Sequence, residues 1–160
     1  MTIKTHIINI TIDNEFGALA RVIELFSARG YNIETLSVAP LYNNQQNNIS
    51  VITITTQCSD KAIALICKLL NRIVPVHTAK ELHHSISQEL VLLKVAESVH
   101  SLEKLLQFSP CRWRIINPQP SGDNILELIG NSTDLDTVLA SISNDRIINI
   151  ARSGIVAIEN

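Results

Sequence analysis

From His6 to Ile12 apolar and polar residues alternate, with Ile8, Ile10 and Ile12 on one side, which predicts a half-buried strand. After a polar turn and Gly17 the period changes. Leu19, Val22, Ile23 and Phe26 recur at i, i+3, i+4 and i+7, the spacing of one helix face, and Arg29-Gly30 marks the helix end with a cation followed by a glycine. Ile33 to Ala39 reads as a second strand stopped by Pro40, Leu41 to Asn48 as a polar loop rich in Asn and Gln, and Ile49 to Thr56 as a third strand. Ser59 is placed to cap a second helix whose stripe is Ile63, Ile66, Cys67 and Leu70. A fourth strand, Val74 to Leu82, carries Pro75, which confines it to a sheet edge or a bulge.

After a polar link, His83 to Ser87, the order recurs. Leu90 to Ala96 predicts a strand, Leu102 to Phe108 a short helix, and Trp113 to Ile116 and Ile125 to Ile129 two more strands. Leu135, Val138, Leu139 and Ile142 again have helical spacing, and Ile147 to Ile158 supplies a last strand in which Arg152-Ser153-Gly154 reads as a bulge. The chain is therefore expected to be α+β, a tandem of ferredoxin-like βαββαβ units. Residues 1–82 form the first, 83–87 the linker and 88–160 the second. In such a split βαβ unit the sheet is antiparallel with both helices on one face, so the other face and the edges are open to a partner.

Composition narrows the function. The 160 residues are 46% hydrophobic, 18% charged and only 4% aromatic, an aliphatic balance that suits subunit interfaces. Net charge is −2 and the basic residues are scattered, so no footprint for nucleic acid is present, and Trp113 between Arg112 and Arg114 reads as strand alternation rather than a base-stacking platform. The longest apolar run, Ala62 to Leu70, is broken by Lys68 and is far short of the roughly 20 residues that span a bilayer. Residues 1–12 show neither signal nor transit character. Cys58, Cys67 and Cys111 are odd in number and far apart, which points to a reducing compartment and to no disulfide framework, no metal knuckle and no nucleophile with its base. His77, His83 and His84 lack a completing ligand set, since adjacent strand residues point to opposite sides. No catalytic or metal site is predicted.

One segment does carry binding chemistry. At the start of a helix the first backbone N–H groups have no intrahelical partner and suit a carboxylate. Gly17 lets a ligand approach the backbone, Asn14 and Asn32 offer side-chain oxygens to an ammonium, and Leu19 and Ile33 offer an apolar wall. A small amino acid meets all three requirements.

The run Asn14 to Val22, the segment Arg29 to Leu36 with Ser37-Val38-Ala39-Pro40, and Ala151-Arg152-Ser153-Gly154 together resemble the small, regulatory subunits of acetolactate synthase, also called acetohydroxyacid synthase. An acidic or Asn turn with Gly-x-Leu is general to ACT-type amino-acid sensors, whereas Gly30-Tyr31-Asn32-Ile33 followed by Val38-Ala39-Pro40 resembles this family in particular. The resemblance implies an N-terminal ACT domain that binds the effector and dimerises, and a C-terminal domain that activates a large catalytic subunit. It implies that valine, the feedback inhibitor of branched-chain amino-acid synthesis, binds where two ACT domains meet. The matching positions are Asn14, Glu15, Phe16, Gly17, Ala18 and Leu19, with Asn32 and Ile33 opposite.

By the same resemblance thiamine diphosphate, Mg²⁺ and FAD belong to the catalytic partner and none to this chain, which is itself non-catalytic. Its place would be the bacterial cytoplasm, or the plastid stroma if plastid-encoded. Arg152, in an apolar strand, would contact the partner or the other domain. Phe16 stands where a small residue is usual, Pro75 where an acidic one is usual, and Ser98 to Arg114 diverges. The rival reading is a free-standing ACT sensor serving a different enzyme.

Overall fold

The computed structural model describes residues 2–41, 48–119 and 122–160. The loop expected over Leu41 to Asn48 has its positions 42–47 outside that set. The described chain divides into two compact units, one ending at Ile86 and taking in Ile155–Asn160, the other Ser87–Gly154.

The first unit runs β1 (Lys4–Asp13), α1 (Ala18–Ala28), β2 (Thr35–Pro40), β3 (Ile49–Cys58), α2 (Asp60–Leu70) and β4 (Val76–Glu81). Its four strands lie antiparallel in the order β2-β3-β1-β4, so the sequence-adjacent β1 and β2 are separated by β3. Ile8 is opposite Ile54 and Ile10 opposite Ile52, and all four are fully buried with Val22 and Phe26 of α1 and Ile63, Ile66 and Leu70 of α2. Burying each such side chain is worth about 1.5–3 kcal/mol, which is what holds both helices to one face of the sheet. The alternation of β1 and the helical periods are thus the physical origin of the unit. Ser59 caps α2 by accepting from the Ala62 amide, and β4 is an outer strand preceded by Pro75, whose carbonyl accepts from Asp13. One stripe position departs: Ile23 is partly exposed beside Ala20, Glu24 and Ser27, because the face that reaches the sheet is centred on Ala18, Val22 and Phe26.

The second unit comprises β5 (Ser85–Val95), α3 (Val99–Leu106), β6 (Arg112–Ile115), β7 (Asn124–Gly130), α4 (Ser132–Ser141), a 3₁₀ turn (Asn144–Arg146) and β8 (Ile147–Arg152), in the sheet order β6-β7-β5-β8. Val91, Leu93, Val95, Leu126, Leu128 and Leu135 are its buried centre. Trp113 packs against this core and donates its indole N–H to the Leu106 carbonyl at 2.9 Å, while Arg112 and Arg114 point away, as the alternation requires. Two details differ from the sequence reading. The expected link 83–87 is strand from Ser85 onward, and the terminal strand is broken after Arg152, with β9 (Val156–Glu159) pairing the start of β5. Gly154, at φ 74°, turns the chain between the two pieces in a conformation that an L side chain rarely adopts.

No helix among the described residues is long and apolar enough to cross a membrane.

Candidate functional site

The turn between β1 and α1 is held by its neighbours rather than by its own side chains. The Asn14 amide donates to the Asn48 carbonyl and the Asn48 side chain donates back to the Asn14 carbonyl, a reciprocal clasp that leaves the Asn14 side chain outside these bonds. The Ala18 amide donates to the Glu15 carbonyl at 3.3 Å, and the Glu15 carboxylate lies near Arg21. Gly17 occupies the N-cap position of α1 at φ 80°, with no heavy atom within 4 Å of where a Cβ would stand. Ser59, Ser98 and Asn131 cap α2, α3 and α4 through their side chains, whereas α1 receives no side-chain cap. With Ala18 already bonded to Glu15, the Leu19 and Ala20 amides and the positive end of the dipole have no partner among the described residues, an arrangement suited to a carboxylate. Phe16 is fully exposed at the tip, Ala18 is buried and Leu19 packs partly on the core.

Asn32 and Ile33 lie elsewhere. The Asn32 carbonyl accepts from Thr56 Oγ1 at 2.6 Å and its side-chain amide donates to Glu34 at 2.8 Å, bonds that do not use its side-chain oxygen; Ile33 leans on the core. Asp13 is in register with Ile49, seven positions from Thr56 on the same strand, so the turn and Asn32 are separated by about 24 Å of β3. The 11 residues of α1, about 16 Å long, separate them by a second route. Within one copy of the chain the two halves of the expected site do not meet, because β1 delivers the turn to one end of the sheet and α1 carries the chain to the other.

Arg152 has an assignment within its own unit. Its guanidinium donates through Nε and Nη2 to the two oxygens of Glu89, at 2.8 and 2.7 Å, and through Nη1 to Asp136 at 2.8 Å. Ser132 also donates to Glu89. These bonds, Arg152 foremost, hold the Glu89 carboxyl below its ordinary range although burial opposes it.

Glu89 was not singled out by sequence, since a lone acidic residue at the start of an apolar strand gives no signal until its partner is known. His6 was missed for a similar reason. It shares the inward parity of Ile8 and Ile10 and is buried, with Nδ1 2.6 Å from Glu81 and Nε2 3.2 Å from the Cys58 carbonyl. His77 pairs with Asp13 at 2.7 Å. Burial pushes the Cys58, Cys67 and Cys111 thiols up, and no group of three His, Cys, Asp or Glu among the described residues is placed to hold a metal ion.

Residues 8–78 match the family model described as the ACT domain of acetohydroxyacid synthase small subunits, and residues 88–160 match the model of the small subunit of acetolactate synthase. The first unit is thus an ACT domain and the chain falls among the regulatory proteins built on it. The acetolactate synthase isozyme 3 small subunit of Escherichia coli is 37% identical over 95% of this chain and 93% of its own length. The acetolactate synthase small subunit of Buchnera aphidicola from Baizongia pistaciae is 35% identical over 97% and 98%. The chain belongs to the family of acetolactate synthase small subunits. The crystal structure of the Thermotoga maritima small subunit has the same fold over 98% of both chains, with a TM-score of 0.85 at 23% identity.

Proposed function

We propose that this chain is the non-catalytic regulatory subunit of acetolactate synthase, that it binds and activates the large catalytic subunit, and that it makes the assembly sensitive to valine. The observation that carries the effector assignment is the bare N-terminus of α1 at Gly17, the one helix start of the four without a side-chain cap among the described residues. A zwitterion needs a carboxylate cradle and ammonium acceptors together. The α1 amides with Asn14 supply the first and part of the second, and Asn32 with Ile33 supply a second acceptor and an apolar wall.

Because about 24 Å of β3 separates these groups in one copy, a single valine engages both only when two first units associate, the turn coming from one copy and Asn32 and Ile33 from the other. Valine then stabilises that pairing, and a coupling of about 1–3 kcal/mol suffices to shift the catalytic partner between two activity states. Discrimination against leucine or isoleucine rests on the apolar wall, where one methylene is worth about 1–3 kcal/mol. Thiamine diphosphate, Mg²⁺ and FAD belong to the partner in this reading, and the reaction takes place in the bacterial cytoplasm.

The test is reconstitution. Adding the chain to its cognate catalytic subunit raises acetolactate formation, and valine then lowers it, while the catalytic subunit alone responds little. Turnover unchanged across a full titration of the chain overturns the assignment.

A further inference from the structure

The segment that carries Asn32 is pinned by its backbone. The Asn32 carbonyl accepts from Thr56 Oγ1 at 2.6 Å and the Glu34 amide donates to the Thr55 carbonyl at 2.9 Å, so consecutive residues of β3 hold it at two points. Thr55 and Thr56 are buried, and Ile33, between the two contacts, leans on the core. Asn32 and Glu34, on either side of Ile33, are exposed. Their side chains meet, Asn32 Nδ2 donating to Glu34 Oε1 at 2.8 Å.

That bond settles a choice that an asparagine leaves open. A primary amide carries an acceptor on one branch and donors on the other, and turning it over exchanges them. Oxygen first, it suits an ammonium; nitrogen first, a carboxylate. An ionised carboxylate only accepts, so Glu34 keeps the Asn32 nitrogen on its own side and frees the oxygen for another partner. The reverse orientation would set Oδ1 against a carboxylate oxygen, two acceptors with no proton between them. Glu34 also adds a negative charge beside the amide, which favours a cation and opposes a carboxylate.

We infer that Glu34 is a positioning residue that sets the specificity of the effector site: it turns the Asn32 oxygen toward the ligand ammonium and so selects an amino acid over the acid of the same skeleton that lacks the ammonium. This role presupposes the valine site proposed above, with Asn32 as one of its ammonium acceptors. The two ends of that site then differ in sign. The α1 amides suit the carboxylate and Asn32 with Glu34 the ammonium, so a zwitterion has one orientation there.

Valine and 3-methylbutanoate, which is valine without its ammonium, separate this role from a merely structural one. Both are titrated at neutral pH into the isotope-labelled full chain and followed by its amide NMR signals, which report binding into the millimolar range. The natural chain is expected to bind valine about tenfold or more tightly than 3-methylbutanoate. Glu34→Ala is expected to weaken valine by about tenfold and to change 3-methylbutanoate by less than about threefold, so that the preference collapses. Glu34→Gln loses the charge but keeps an oxygen that can accept from Asn32, and its preference is expected to fall between the two. A preference undiminished in Glu34→Ala, an equal loss of both ligands, or a Glu34→Gln no better than Glu34→Ala overturns the role. Valine failing to bind the natural chain would instead overturn the effector site itself.

Discussion

Glu89 and Arg152 form a two-point ion pair across β5 and β8, with the carboxylate side chain only 1% exposed and the guanidinium 37% exposed. Asp136 and Ser132, both of α4, complete the cluster, so a single charged contact ties two strands to a helix. A bidentate guanidinium pair has a fixed planar geometry, which is why it can seat a carboxylate at a position that otherwise excludes charge.

Arg152→Ala is therefore expected to destabilise the second unit by about 2–3 kcal/mol, below the 3–5 kcal/mol of a fully buried pair because the guanidinium is partly solvated. Arg152→Lys recovers only part of this, since an ammonium cannot make both bonds. Urea unfolding monitored at Trp113 measures it. In the assembled enzyme the same Ala substitution is expected to weaken activation more than valine binding, the loss being confined to the unit that does not carry Gly17.

The same pair sets a pH dependence. Because Arg152 lowers the Glu89 pKa from its ordinary 4.5, the pair contributes stability that is fully present above 4.5 and is lost as pH falls through the lowered folded value. The stability difference between the natural chain and Glu89→Gln should be constant from pH 6 to 7 and shrink below about pH 4.5. A difference that stayed level across that acid range would show that the buried carboxylate is not held ionised by Arg152.

Gly17→Asp and Asn14→Ala address the effector turn. A Cβ at Gly17 meets no atom within 4 Å, but a non-glycine residue at φ 80° costs about 1–2 kcal/mol of backbone strain, and the Asp carboxylate stands at the cradle. Both variants are expected to lose valine binding by calorimetry while still activating the catalytic subunit. Undiminished valine binding in both would move the pocket away from this turn.

Gly130 offers a test of packing in the second core. A Cβ there would stand 2.7 Å from Cys111 Sγ, deep in a buried cluster with no flexible end to swing away. Gly130→Ala should cost about 1–3 kcal/mol, the usual range for overpacking. Combining it with Cys111→Ala removes the colliding sulfur, so the double variant is expected to be more stable than the sum of the two single losses predicts. Thermal denaturation of the four proteins decides it.

Much of this architecture is legible along the chain because local periodicity reports which face of each element meets a core. The parity of Ile8, Ile10 and Ile12, the helical stripe through Val22 and Phe26, the Ser59 cap and the edge position of Pro75 all depend on neighbours within a few residues. Ile23 departs because a stripe of four apolar residues over about two turns does not say where its centre falls against the sheet. The break after Arg152 reads in sequence as a bulge, since a strand that changes partner segments along β5 looks like one strand with an irregularity.

The sequence by itself determined the two βαββαβ patterns, the glycine turn and the residue types suited to an amino acid, since each follows from spacing or from the chemistry of a single side chain. Only the tertiary structure decided which residues are neighbours. It joined Glu89 to Arg152 and His6 to Glu81, 63 and 75 positions apart, and it set Asn14 and Asn32, 18 positions apart, at opposite ends of the sheet. Separation along the chain says little about separation in space once strands pair antiparallel and a helix carries the chain from one end of them to the other.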